Sequence, residues 1–238
     1  MNISIVIPIL NEKNNIKEIV SRIRNQFDQN QNVKLQIIFV DDNSQDGTEE
    51  IFNEIADKNL KLIVRKESPK DLSKSCVLGF DNAIHENIMV MDGDLQHDPS
   101  DIIKLIKTFQ TGKYDIVFGC RDLSSRNTTN LNPLRFILSK LLNNIFNILF
   151  NKNFKDPMSG FFIMKKEIYY SCKDKLHLKG YKILADIILS TEKNLSIEEV
   201  IINFHVRHKG FSKMSPKILF QLIVFLLFKF CKKLFNKH

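Results

Sequence analysis

The sequence predicts an α/β protein: a mainly parallel β-sheet flanked by helices. Three observations carry that prediction. Short apolar runs recur through residues 1–120, and they are continuous rather than alternating, as in strands buried on both faces. Between them lie segments with apolar residues at helical spacing. The links are short and strand alternates with helix, which is the pattern of a parallel sheet.

Asn2 to Ile9 is the first strand, rich in Ile and Val, and Asn11-Glu12 ends it. Ile16, Ile19, Val20, Ile23 and Phe27 mark the following helix. Leu35 to Val40 is a second strand and runs into Asp41-Asp42-Asn43-Ser44-Gln45-Asp46-Gly47-Thr48. Ile51, Phe52 and Ile55 line the next helix, Leu60 to Val64 is a third strand, and a helix spans about Leu72 to His85. Ile88 to Met91 is a fourth strand, delivering Asp92-Gly93-Asp94-Leu95-Gln96-His97-Asp98-Pro99. Pro99 takes the first-turn position of an amphipathic helix carrying Ile102, Ile103, Leu105, Ile106 and Phe109. Asp115 to Gly119 is a further strand, ending at Arg121-Asp122.

The second half is less regular. Leu134 to Phe150 reads as a long amphipathic helix, and Asp156-Pro157-Met158-Ser159-Gly160 as a turn into a strand, Phe161 to Met164. Tyr181 to Glu192 reads as a helix and Ser196 to Phe204 as a strand. Arg207 to Lys213 is a basic loop. Ile218 to Phe228 is apolar except for Gln221, with Lys217 before it and Lys229, Lys232 and Lys233 after it.

Polar clusters stand at four strand ends: Asn11-Glu12, Asp41-Asp42, Asp92-Gly93-Asp94 and Arg121-Asp122. A parallel sheet brings all C-terminal ends to one edge, where open α/β sheets bind ligands. Singly, each cluster is ordinary turn chemistry; together they describe a site for a ligand with polar and phosphate groups. Asp92 and Asp94 can offer two hard oxygens to Mg²⁺ or Mn²⁺, ions that bind few carboxylates plus substrate phosphates. The glycine-rich dinucleotide and P-loop cradles are absent from the sequence.

Net charge is +8, unevenly spread. Val200 to His238 holds eight Lys or Arg and no Asp or Glu, and Leu123 to Lys155 holds five and none. Such segments attract phosphates, in nucleic acid or on a membrane. A nucleic-acid-binding module would interleave exposed aromatics with the basic residues; here the basic tail flanks one apolar block, which favours lipid over nucleic acid. Four cysteines without CxxC spacing indicate a reducing compartment and no disulfide or zinc framework. The spacings of His97, His205 and His208 fit no recognised metal set. The N-terminus has no basic n-region and no small-residue cleavage site, so no secretory leader is expected.

Five blocks, in order, resemble family 2 glycosyltransferases, most closely the dolichol-phosphate mannose synthase branch: Ile7 to Glu12, Val40 to Thr48, Met91 to Pro99, Asp156 to Phe162, and Arg207 with Gly210, Ser212 and Lys213. The resemblance covers about residues 3–215. It implies a GT-A fold and transfer of a sugar, most closely mannose from GDP-mannose, to a polyprenyl phosphate, dolichyl or undecaprenyl. Glucosyl or N-acetylhexosaminyl transfer from a UDP-sugar is the alternative within the class. Carried over by motif, Pro8, Leu10 and Glu12 line the nucleotide pocket, and Val40 and Asp42 meet base and ribose. Asp92, Gly93 and Asp94 face the diphosphate and sugar. Asp94 is the main ligand of a divalent metal, Mg²⁺ or Mn²⁺, helped by Asp92 and Gln96. Arg121, Arg207 and Lys213 hold phosphates and act in catalysis, and Arg135 and Ser139 join Arg121 at the acceptor phosphate. Three departures stand out: Leu10 where many relatives have an aromatic, Gly93 for a common Ala, and Asp71 for a usual Gly.

The chain is therefore expected to comprise a GT-A domain, 1–215, and a C-terminal apolar and basic helix, 216–238. Eleven residues of helix rise about 16 Å, against roughly 20 residues for a bilayer core. The expected arrangement is an interfacial helix with its lysines at anionic headgroups. Packing on the domain, a short span, or docking to a membrane partner subunit are the alternatives. The expected location is the cytoplasmic face of a membrane.

Overall fold

The computed structural model describes residues 1–28, 33–55, 57–121, 133–180, 182–203, 205 and 216–235. Seven strands form one sheet: β1 (Asn2–Ile9), β2 (Lys34–Asp41), β3 (Leu60–Val64), β4 (Asn87–Val90), β5 (Ile116–Cys120), β6 (Phe162–Lys165) and β7 (Ile197–Ile201). Their order is β3-β2-β1-β4-β6-β5-β7. All neighbours pair in parallel except β6, which runs antiparallel to both β4 and β5. The register is continuous across the first half, with Ile9 beside Asp41 and Val6 beside Val90.

Eight helices cover the sheet among the described residues: α1 (Lys13–Asp28), α2 (Thr48–Ile55), α3 (Leu72–Asn82), α4 (Ile102–Phe109), α5 (Pro133–Phe150), α6 (Lys166–Cys172), α7 (Ile183–Ser190) and α8 (Pro216–Phe235). Period-2 side-chain alternation splits the core into two layers. One strand face packs Ile5, Ile7 and Phe39 against Ile16, Ile19 and Ile23 of α1 and Leu105 of α4. The other packs Val6, Val40 and Phe118 against Phe80 of α3, Phe146 of α5, Ile187 of α7 and Leu226 of α8.

Several expectations need correction. Hydropathy carries no strand direction, so the reversed β6 was not legible. Its reversal brings its N-terminal end, rather than its C-terminal end, to the ligand edge. The helix expected to reach His85 stops at Asn82. Ser4 and Gln36 draw the chain outward: Ile84 N donates to Gln36 Oε1 (3.0 Å) and His85 N to Ser4 Oγ (3.2 Å). Pro99–Asp101 forms a single 3-10 turn before α4, capped by the Asp98 side chain accepting from Ser100 N. The helix expected over Tyr181 to Glu192 is the shorter α7. α6 has seven residues, too few for a periodic signal.

α8 runs 20 residues, and Lys229, expected at headgroups, is buried instead. Leu222, Phe225 and Leu226 of α8 are buried against the domain. No described helix is long and apolar enough to cross a membrane.

Candidate active site

β1 and β4 lie side by side, and the sheet grows outward from them in both directions. This is a topological switch point, where the loops leaving two parallel strands part and open a crevice. Glu12 follows β1, Asp42 follows β2, Asp92 to Gln96 follow β4, and Arg121 follows β5. The loops are cross-tied. Asp42 N donates to Ile9 O (3.0 Å), Asn11 N to Ser44 Oγ (2.8 Å) and Gln45 N to Asn11 Oδ1 (3.0 Å). Asn15 Nδ2 reaches Glu12 Oε2 at 2.7 Å and Gly93 O at 3.5 Å, linking the first motif to the acidic turn.

In that turn the Asp92 side chain is one-third exposed and Asp94 is buried. Asp94 Oδ1 accepts from Gln96 N (3.1 Å). Leu95 between them has φ +59° with its side chain buried, an uncommon left-handed conformation for a branched residue. Gln96 Nε2 donates to His205 O (3.3 Å), and His205 N to Gln96 O (2.9 Å). The His205 ring meets Asp98 Oδ2 at 3.0 Å. These contacts aim the Gln96 amide nitrogen at His205 and turn Oε1 the other way. His97 stacks on Phe161 (5.2 Å) with Nδ1 3.6 Å from Asp92. Above Asp92 lies Gly160, where a Cβ would stand 2.8 and 2.9 Å from the two carboxylate oxygens. Among the described residues no three His, Cys, Asp or Glu side chains form a metal group. Asp92, Asp94 and Gln96 are hard oxygen donors, too few for a full cage. They fit an ion that completes its shell with substrate phosphate.

Arg121 is held by Asp156 through two bonds, Nε at 2.6 Å and Nη2 at 2.9 Å. Burial pushes the Asp156 carboxyl up, but the Arg121 guanidinium outweighs it and holds it below the usual range. The turn carrying Asp156 hangs from β7: Glu199 accepts from Lys155 N (2.7 Å) and Asp156 N (3.2 Å). Lys182 Nζ donates to Met158 O (2.9 Å), bringing another cation to this turn. On α5, Ser139 is buried, and one turn on Asn143 Nδ2 donates to Lys155 O (2.6 Å). Ser139 therefore shares a helix face with the anchor to the Asp156 turn. Arg135 lies on α5, its side chain outside the described residues, and Arg207 and Lys213 lie outside them altogether.

Pro8 is buried in β1 and Leu10 half-buried just past it. The Val40 side chain packs in the core. Asp42 meets Arg65 Nη2 at 2.5 Å and accepts from Asp71 N at 2.6 Å. Asp71 also accepts from Lys74 N and Gly180 N, capping α3 and tying the 180 turn to it. Arg65 was missed in the sequence. Its Nη2 donates to Pro69 O (2.9 Å), but Nε and Nη1 are buried without a hydrogen-bond partner among the described residues. Nη1 lies 3.7 Å from the Glu67 carboxylate, so the guanidinium stands between two acidic side chains at the ligand edge. The available signal was position: Arg65 directly follows a strand at the ligand edge, as the other site residues do.

The family model described as glycosyl transferase family 2 matches residues 4–172. The dolichol-phosphate mannosyltransferase of Pyrococcus furiosus is 35% identical over 94% of this chain, and the chain spans 62% of that relative's length, less than two thirds. The dolichol-phosphate mannosyltransferase of Saccharomyces cerevisiae is 32% identical over 92% of this chain and 84% of its own length. The polyprenol monophosphomannose synthase of Mycolicibacterium smegmatis is 29% identical over 89% and 80%. Among solved structures, glucosyl-3-phosphoglycerate synthase from Mycobacterium tuberculosis, in complex with Mn²⁺, UDP-glucose and phosphoglyceric acid, superimposes with a TM-score of 0.72. It covers 96% of this chain and 79% of that one at 19% identity, a likeness of fold.

Proposed function

The chain belongs to glycosyl transferase family 2, and from that premise we propose that it transfers mannose from GDP-mannose to a polyprenyl phosphate at the cytoplasmic face of a membrane. The observation that carries the reading is that the Asp156 turn, which clamps Arg121, also sets Gly160 against Asp92, so cation and acidic turn share the ligand edge of the sheet. The similarity to mannosyltransferases of polyprenyl phosphates over most of the chain supports the sugar and the acceptor.

The acceptor is a phosphate monoester with a second pKa of about 6, so it is largely ionised near neutral pH. It needs no strong protein base. One of its oxygens forms the new bond to the sugar carbon as the bond to the nucleoside diphosphate breaks, a single in-line displacement that inverts the carbon. Catalysis is then positioning and charge. Arg121, with Ser139 and Arg135, orients the acceptor phosphate. Arg207 and Lys213 stabilise the departing diphosphate. Asp42 holds the base and ribose, its carboxylate fixed in place by Arg65. Asp94, Asp92 and Gln96 would hold Mg²⁺ or Mn²⁺, which when bound supplies counter-charge to the diphosphate.

The test is a transfer assay with purified protein, Mn²⁺ or Mg²⁺ and a short polyprenyl phosphate, offered GDP-mannose, UDP-glucose and UDP-N-acetylglucosamine separately. Lipid-linked product from GDP-mannose alone is expected. Product from a UDP-sugar alone would keep the reaction class and overturn the mannosyl assignment. No product from any donor, with folded protein, would overturn the acceptor.

A further inference from the structure

We infer that Asp71 is a positioning residue for the nucleotide, fastening the Asp42 carboxylate to the turn 177–180. The inference rests on the reading that Asp42 meets base and ribose.

Both oxygens of Asp42 are held. Oδ1 meets Arg65 Nη2 (2.5 Å), and Oδ2 accepts from the Asp71 backbone N–H (2.6 Å). Each carboxylate oxygen has a second lone pair, so the held group can still accept from a ribose hydroxyl or a base N–H. Asp71 is the N-cap of α3: its Oδ1 accepts from Lys74 N (3.2 Å) and its carbonyl from Ser75 N (3.1 Å). The N–H at a helix start has no partner within the helix, which leaves that of Asp71 for Asp42. A glycine in this place can offer the same N–H. The carboxylate adds reach: Oδ2 accepts from Gly180 N (2.6 Å), 109 residues further along the chain.

The turn at the other end is itself firmly held. Ser73 N and Ser73 Oγ both donate to Gly180 O (3.1 and 2.8 Å), so the N–H and the carbonyl of Gly180 are each bound to the start of α3. Gly180 has φ +94° with open space where a Cβ would stand, so backbone conformation rather than crowding requires glycine. Leu178 has φ +50°. Asp186 Oδ2 holds that conformation by accepting from His177 N (2.7 Å) and Leu178 N (3.2 Å), and its Oδ1 meets Lys229 Nζ of α8 (2.5 Å). Just past the turn, Lys182 Nζ donates to Met158 O (2.9 Å), in the turn that carries Asp156.

Residues 177–182 therefore touch both sides of the crevice, the Arg121 side through Lys182 and Met158 and the nucleotide side through Asp71. With Gly180 anchored, the Asp71 backbone cannot shift without breaking a charge-assisted hydrogen bond, which is stronger than a neutral one. Asp42 Oδ2 then keeps one position. A side chain ordered before the ligand arrives lowers the ordering cost of binding, so Asp71 acts on nucleotide affinity and not on the chemical step. Capping α3 is the other role of the same carboxylate, and chemistry separates the two: serine is as good an N-cap as aspartate, but it is a bond shorter, uncharged and has one side-chain oxygen.

The experiment is calorimetric titration of the full chain with GDP and with mannose 1-phosphate, Mg²⁺ present, for the parent, Asp71→Ser (cap kept, tie to Gly180 lost) and Asp71→Ala (both lost). Asp71→Ser should weaken GDP binding at least about fivefold, the lower end of typical coupling between sites, and leave mannose 1-phosphate binding and the thermal transition unchanged. In steady state the KM for GDP-mannose should rise by the same factor while kcat at saturating donor stays within about twofold, the pattern of lost ground-state binding. Asp71→Ala should match the serine variant in GDP affinity and also lower the thermal transition, through the lost cap. If Asp71→Ser binds GDP as the parent does, or GDP affinity falls only where the thermal transition falls, Asp71 serves α3 alone and the inference is overturned with the donor reading intact. A parent without affinity for GDP would overturn the donor reading and this inference with it.

Discussion

Arg121 and Asp156 are joined by two hydrogen bonds, Nε at 2.6 Å and Nη2 at 2.9 Å, with Asp156 buried and Arg121 mostly so. The pair links the end of β5 to the turn before the reversed β6, so an arginine from one motif is aimed by a carboxylate from another. Asp156→Asn keeps the shape but loses the charge and one of the matched acceptors. Removing one partner of a buried pair costs roughly 3–5 kcal/mol. The expected result is a lower thermal transition and at least a tenfold lower transfer rate, roughly the effect of losing one charged hydrogen bond to a reacting group. Arg121→Lys should not restore the rate, because an ammonium cannot make the two-pronged contact.

The same pair sets an acid limit. Burial raises the Asp156 carboxyl, but Arg121 holds it below the ordinary carboxylate range. A depressed folded-state value contributes stability above the unfolded value, about 3.9, and loses it as pH falls through the folded value. Denaturant unfolding at pH steps from about 7 to about 3, spanning that carboxylate range, should show parent stability falling below about pH 4. The Asp156→Asn variant should start lower and fall less steeply. Equal slopes would mean Asp156 does not carry the acid limb.

Arg65 holds the Asp42 carboxylate through Nη2 and lies 3.7 Å from Glu67 through Nη1, its side chain buried. Because Arg65 fixes the carboxylate proposed to meet base and ribose, Arg65→Lys should weaken GDP binding by about 10- to 100-fold, the value of one charged hydrogen bond. Mannose 1-phosphate, which lacks the base, should bind parent and variant alike. Calorimetry on both ligands separates base recognition from general loss of fold.

Much of this arrangement was legible because it is local. β1, β2 and β4 are buried on both faces, so Ile5 to Ile7, Ile37 to Val40 and Ile88 to Met91 read as unbroken apolar runs, and the acidic turn follows the last of them directly. What was not legible depends on distant partners. Lys229 looks like a headgroup lysine until Asp186 is seen facing it. Arg65 looks like a solvated strand end until Asp42 closes on it. Strand direction leaves no mark in hydropathy, so β6 and the approach of Gly160 to Asp92 could be found only in three dimensions.

Lys229→Met should test whether α8 belongs to the fold. It leaves Asp186 buried without its ammonium, a loss of roughly 3–5 kcal/mol, or a thermal transition lower by roughly 10 °C for a chain of this size. Adding Asp186→Asn should recover part of the loss, since no bare charge remains. A Lys229→Met variant as stable as the parent would mean the helix is held by its apolar face alone.

Gly160 and Asp92 make the sharpest test of the metal assignment. A methyl at 160 would fall 2.8 and 2.9 Å from the Asp92 oxygens, closer than real contacts allow. Asp92 is one-third exposed and can rotate away, so Gly160→Ala should fold normally while displacing one proposed ligand. Asp94 is buried, and the atoms nearest that methyl all belong to Asp92, so Asp94 should stay in place. Mn²⁺ affinity, followed by electron paramagnetic resonance in the presence of GDP, should then weaken by roughly tenfold, about 1.4 kcal/mol, with no shift in the thermal transition. Asp94→Ala, removing the main proposed ligand, should abolish the Mn²⁺ signal change and metal-dependent transfer together. If Gly160→Ala binds Mn²⁺ as the parent does while Asp94→Ala does not, Asp94 is a ligand and Asp92 is not. If both bind Mn²⁺ unchanged, the acidic turn does not hold the metal.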